Sequence, residues 1–102
     1  MPEENGRSFQ VHCSGKVAKE LKKLQHKASP ARRKLIAAAF QKIVNKLRTD
    51  ASNAGEARFR LVSLKMQVRA LAISPLVIEY GVCEDRPFVF IRSGKLLHEP
   101  GS

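Results

Sequence analysis

The feature that most constrains this chain is a change of hydrophobic period at Gly55. Ahead of it lie two segments of helical spacing; beyond it the helical period does not return. In 16–27, "KVAKELKKLQHK", Val17, Leu21 and Leu24 fall at i, i+4 and i+7, one apolar stripe on a helix with a lysine-rich outer face. "ASP" at 28–30 interrupts it, with Ser29 a good N-cap and Pro30 suited to the first helical position. From there Leu35, Ile36, Ala39, Phe40, Ile43, Val44 and Leu47 predict a second helix ending before "TDASNAGE". The short link between the two implies a helical hairpin.

Strand signals flank that hairpin. In "RSFQVHC" (7–13), Phe9, Val11 and Cys13 alternate with polar neighbours, and Ser14 offers a cap to the helix that follows. After Gly55 come "ARFRLVSL", "MQVRALAI", "PLVIEYGV" and "PFVFIR", short runs separated by turn signals at Leu64-Lys65, Ser74-Pro75 and "CEDRP". The predicted order is β-α-α-β-β-β-β. Short links between the last strands favour an antiparallel sheet, giving an α+β fold in which helices and most strands are segregated. A chain of 102 residues has room for one such domain, with an ordered core expected at about 7–97.

Charge narrows the function. Nineteen Lys and Arg oppose nine Asp and Glu, and segment 14–48 carries eleven bases against the single acid Glu20. That segment alone accounts for the net +10, so the rest of the chain balances to zero. A field confined to one third of the sequence favours a polyanionic partner: nucleic acid, ribosome or an acidic protein, ahead of a membrane surface. No stretch is apolar enough for a membrane span. "MPEENGRSF" is too polar for a signal peptide, and a cytoplasmic location is expected. Cys13 and Cys83 have no CxxC or CxxH neighbours and match no zinc spacing, so they are expected as buried small hydrophobes, with no metal and no cofactor.

The discordant residue is Arg69, a guanidinium within the apolar run "MQVRALAI". Alternation puts Met66, Val68, Ala70 and Ala72 on one face and Gln67, Arg69, Leu71 and Ile73 on the other. The small residues of the first set suit packing under helices, which leaves Arg69 on a half-open groove. Arg58 and Arg60 lie on the preceding strand and Arg92 on the last, so four arginines can converge if the register allows. A cross-strand pair between Arg69 and Glu79 is the structural alternative.

"KVAKELKKL" leading into a basic helix, then "GEARFRLV" and "VRALAISPLVIEYGV…RPFVFIR", resembles the RelE/ParE superfamily of type II toxin–antitoxin toxins over about residues 7–97. The resemblance implies one of two activities. RelE-like members are metal-free endoribonucleases that cleave messenger RNA in the ribosomal decoding site and so inhibit translation. ParE-like members inhibit DNA gyrase, and a non-catalytic nucleic-acid or ribosome binder is a further alternative. By position the resemblance assigns catalysis to Arg69, Arg92 and His98, and phosphate binding to Arg58, Arg60 and Lys65. In "LLHEPGS" His98 stands where several RNA-cleaving members carry a terminal acid or base, because no tyrosine follows Tyr80. The implied partner is a cognate antitoxin that masks the basic groove.

Overall fold

A computed structural model describes residues 8–97. The predicted element order is present. Strand β1 (Gln10–Cys13) leads into α1 (Gly15–His26) and α2 (Pro30–Asp50). Strands β2 (Glu56–Leu61), β3 (Met66–Ile73), β4 (Leu76–Cys83) and β5 (Phe88–Leu96) follow, with a single 3-10 turn at Val62–Leu64.

Both helix starts form where local chemistry puts them. Ser14 Oγ accepts the Val17 amide at 3.2 Å and Ser29 Oγ accepts the Arg32 amide at 3.3 Å. Each bond satisfies one of the amides that the first helical turn leaves without a partner. Pro30 takes the first position of α2, where its missing N–H costs nothing.

The five strands form one sheet in the order β1-β5-β4-β3-β2. Strands β2 to β5 are the expected antiparallel meander, but β1 joins β5 in parallel, so the sheet is mixed rather than antiparallel throughout. The helical hairpin carries the chain from β1 to the far edge of the sheet. The meander then returns, and its three reversals leave β5 running the same way as β1. Edge pairing of this kind leaves no mark on the hydrophobic period.

Both helices pack on one face of the sheet. Val17 of α1 and Ile36, Ala39, Ile43 and Leu47 of α2 meet Leu76, Ile78, Tyr80 and Val82 of β4 and Val89 and Ile91 of β5, all buried. Burying each of the larger of these side chains contributes about 1.5–3 kcal/mol against leaving it in water. Leu35 belongs to the predicted α2 stripe yet is 58% exposed, because the stripe is wider than the sheet beneath it.

Register fixes the faces of β3, and here the expectation is reversed. Leu71 pairs with Ile78, Ile73 with Leu76, and Arg69 with Tyr80. Directly paired residues share a face. Gln67, Arg69, Leu71 and Ile73 therefore lie under the helices, and Met66, Val68, Ala70 and Ala72 lie on the uncovered side. The small residues misled because no second layer presses on them. Among the described residues no helix is long and apolar enough to cross a membrane.

Candidate nucleic-acid interface

The reversal of β3 removes Arg69 from the open face. Helix α2 ends at Asp50, short of the end of the strand below it, so Arg69 meets main-chain carbonyls instead of an apolar helix. Its Nε donates to the Ala54 carbonyl at 2.9 Å, Nη2 to that of Gly55 at 3.2 Å, and Nη1 to Gln67 Oε1 at 3.2 Å. The Tyr80 hydroxyl shares this site, 2.6 Å from the Ala54 carbonyl oxygen and 3.3 Å from that of Ala51. Burial pushes the Tyr80 hydroxyl above its usual range, against the opposing effect of Arg69. Arg69 thus fastens the chain after α2 to the sheet, and its cross-strand partner is Tyr80, not Glu79.

Arg60 is occupied as well. Its Nε and Nη2 hold the two carboxylate oxygens of Glu84, the second at 2.7 Å. The hydrogen bond from Arg60 is the main cause of a carboxyl held below the usual range at Glu84. Position 60 faces the same side as Gln67 and Arg69 by register, again away from the open face.

Arg58 and Arg92 both lie on the uncovered side, each at an irregularity. The β2–β3 register shifts between Ala57 and Phe59, which leaves Arg58 as the bulged residue. The β4–β5 register shifts between Glu79 and Tyr80, and Arg92 is the residue passed over. Arg92 Nε lies 3.5 Å from Glu79 Oε1. A small cavity of 160 Å³ on this face is lined by Arg58, Ala70, Val77, Glu79, Ser93 and Lys95. Arg58 also reaches Glu56 at 4.0 Å, an exposed pair of the kind that contributes little. Of the four arginines expected to converge, Arg58 and Arg92 share the uncovered face; Arg60 and Arg69 stand on the opposite one. Lys95 and Glu79 join the cavity by tertiary placement alone, although their position on paired strands is visible once the register is known.

Lys65 sits in a left-handed turn conformation (φ 50°) and lines a second cleft, of 390 Å³, with Cys83, Asp85, Arg86, Phe88 and Phe90. His98 lies outside the described residues. Between the two clefts the open face is aromatic. His12 stacks on Phe90 with ring centroids 5.2 Å apart and meets the edge of Phe88 at 5.6 Å. Phe59 and Phe90 are 48% and 37% exposed. These rings are spread over β1, β2 and β5, and only the strand register brings them onto one face.

The cysteines depart from expectation. Both are free, with Cys13 exposed and Cys83 half-buried rather than both in the core. Cys13 ends the short edge strand β1, where nothing closes over it. Desolvation still raises both thiols, which leaves them protonated and weakly nucleophilic at neutral pH. No cluster of His, Cys, Asp and Glu able to hold a metal ion occurs among the described residues. A larger apolar cavity of 460 Å³ between α1 and α2, lined by Cys13, Leu21, Ile36 and Phe40, lies on the helical side of the sheet, opposite the Arg58–Lys95 cavity.

On the helical side, every basic residue of 14–48 is exposed except the half-buried Arg32. Within that set, Lys46 pairs with Asp50 at 3.6 Å, and Arg33 bonds the Gln25 and Ala28 carbonyls across the hairpin link. The excess positive charge therefore lies on the helical side, while the open face carries cations interspersed with Glu56, Glu79 and Asp85. Comparison with family models, with curated proteins and with solved structures yields no match to this chain.

Proposed function

We propose that this protein is a RelE/ParE-type toxin that engages messenger RNA on the ribosome and cleaves it without a metal, with a cognate antitoxin as its partner. The observation that carries the reading is the cavity on the open sheet face, where Arg58, Lys95 and the nearby Arg92 surround Glu79 and Ser93. In such a cleavage the RNA 2′-hydroxyl attacks the adjacent phosphorus and the bond to the 5′-oxygen breaks. The products are a 2′,3′-cyclic phosphate and a free 5′-hydroxyl. Arg58, Arg92 and Lys95 supply cations where negative charge grows on the phosphorane, and guanidinium suits phosphate because its fork binds two oxygens at once. Glu79 is the carboxylate within reach to accept the 2′-hydroxyl proton, and solvent water supplies the proton that completes the departing 5′-hydroxyl. The basic helical hairpin on the far side holds the ribosome's own RNA.

The reading is tested by adding the protein to a reconstituted translation reaction and mapping 5′ ends on the message. Codon-phased cuts are expected with wild type, reduced roughly 10²–10³-fold in Arg92→Ala. Arg69→Ala, by contrast, should keep cutting at temperatures where it remains folded. Intact message with wild type would reject cleavage.

One observation favours a second reading. Two of the four arginines are held by Glu84 and by main-chain carbonyls, and no His or Tyr lines the cavity among the described residues. A binder that blocks its target without cleaving it, as in gyrase inhibition, needs only the basic helical surface. Loss of gyrase supercoiling with message left intact is the outcome that selects it.

A further inference from the structure

The open face carries one continuous apolar row that the cleavage reading does not use. Phe59 pairs with Val68, Val68 with Gly81, Gly81 with Phe90, and Phe90 with His12, so these five residues cross all five strands in register. Phe59 and Phe90 are three strand spacings apart, about 14 Å. Between them the floor is low. Gly81 has no side chain, and the Met66 thioether occupies the space above it, since a Cβ there would fall 2.2 Å from the sulfur. Val68 is fully buried within the row although no helix covers this side. The result is two raised rings with a thioether floor between them. A cleft flanks the row on each side, with Lys65 and Arg86 beside Asp85 in one and Arg58 and Lys95 beside Glu79 in the other.

We infer that this row is a stacking platform for single-stranded RNA, with bases on Phe59 and Phe90 and phosphates on the flanking cations. Apolar side chains alone would fit a protein partner equally well. The cations on both flanks favour a ligand that carries negative charge and also has flat apolar faces. Duplex RNA hides its base faces, whereas an unpaired strand offers them. Two or three bases are what a comparable sheet platform accommodates. His12 stacks on Phe90, which remains 37% exposed. The inference rests on the RNA-directed reading above but not on cleavage, and it assigns the platform a recognition role separate from the Arg92–Glu79 cavity.

The test is binding of the full chain to a labelled oligouridylate by fluorescence anisotropy across a salt series, with the same-length RNA duplex and polyphosphate as competitors. Phe59→Leu and Phe90→Leu keep an apolar side chain and remove the π face, and circular dichroism reports whether each remains folded. Each should weaken single-strand binding roughly 5–100-fold with the salt slope unchanged. Arg58→Gln and Lys95→Gln should each reduce that slope by about 0.7. Polyphosphate affinity should be untouched by either leucine variant. Folded leucine variants that bind the single strand as tightly as wild type would overturn the platform. So would a leucine effect that appears equally with polyphosphate or as a change in self-association. Failure of cleavage in the translation assay, with ring-dependent binding retained, would remove the nuclease reading and leave the platform standing.

Discussion

Arg69 shows how a single residue changes its meaning with its face. On an open groove it would hold a ligand; under the end of α2 it holds the chain. Arg69→Ala should cost about 1.5–3 kcal/mol in chemical denaturation, the range for a charged hydrogen bond lost from a partly buried site. Tyr80→Phe should cost about 1–3 kcal/mol for the same carbonyls. Both side chains use the Ala54 oxygen, so the double variant should fall short of the sum, and additive losses would show that the two act independently. The Arg60–Glu84 pair gives a pH signature. Glu84 has a carboxyl lowered by its bond to Arg60, so its contribution is present above the ordinary value of 4.5 and is lost as pH falls through the lower folded value. Glu84→Gln should therefore melt below wild type at neutral pH and converge with it in acid. A gap that persists below both values would assign the difference to packing instead of charge.

Among the elements, what was legible was local. The two serine caps, Pro30 and the α2 stripe each depend on residues within a few positions, and the structure has them where the spacing puts them. The bulges that bring Arg58 and Arg92 to one face were not legible. They depend on how two strands slide against each other, and a one-residue slip moves a side chain through the sheet. The Arg58 bulge also lies on β2, an edge strand, where irregularity discourages pairing with a second chain. Gly55 joins α2 to that edge at φ 66°, and a Cβ there would lie 2.1 Å from the Ala70 carbonyl oxygen. Gly94 packs under α1, where an added Cβ would meet only the flexible ends of Leu21 and Ile78. Gly55→Ala should then cost roughly 2 kcal/mol or more, from the left-handed conformation together with a backbone clash. Gly94→Ala should cost less. The reverse ranking in denaturant melts would mean that the α1 interface is the tighter joint.

Across the whole molecule, the segregated charge becomes a two-sided arrangement. The hairpin carries the excess positive charge on one side of the sheet, while the aromatic row and its flanking cations occupy the other. Lys19, Lys23 and Lys27 form one exposed i, i+4 row along α1 and its cap. If the hairpin holds ribosomal RNA, changing all three to Gln should weaken ribosome binding with a shallower salt dependence. Message binding on the sheet face should be spared, and equal loss at both sites would refer the effect to net charge. The sequence by itself determined the α+β class, the element order, the helix caps and the location of the excess charge. Each of these follows from composition or from periods shorter than a dozen residues. Only the tertiary structure decided which face of β3 meets the helices, that β1 runs parallel to β5, and which cations share a surface. Those outcomes depend on strand register and on where α2 stops relative to the sheet, relations between distant segments that no local period records.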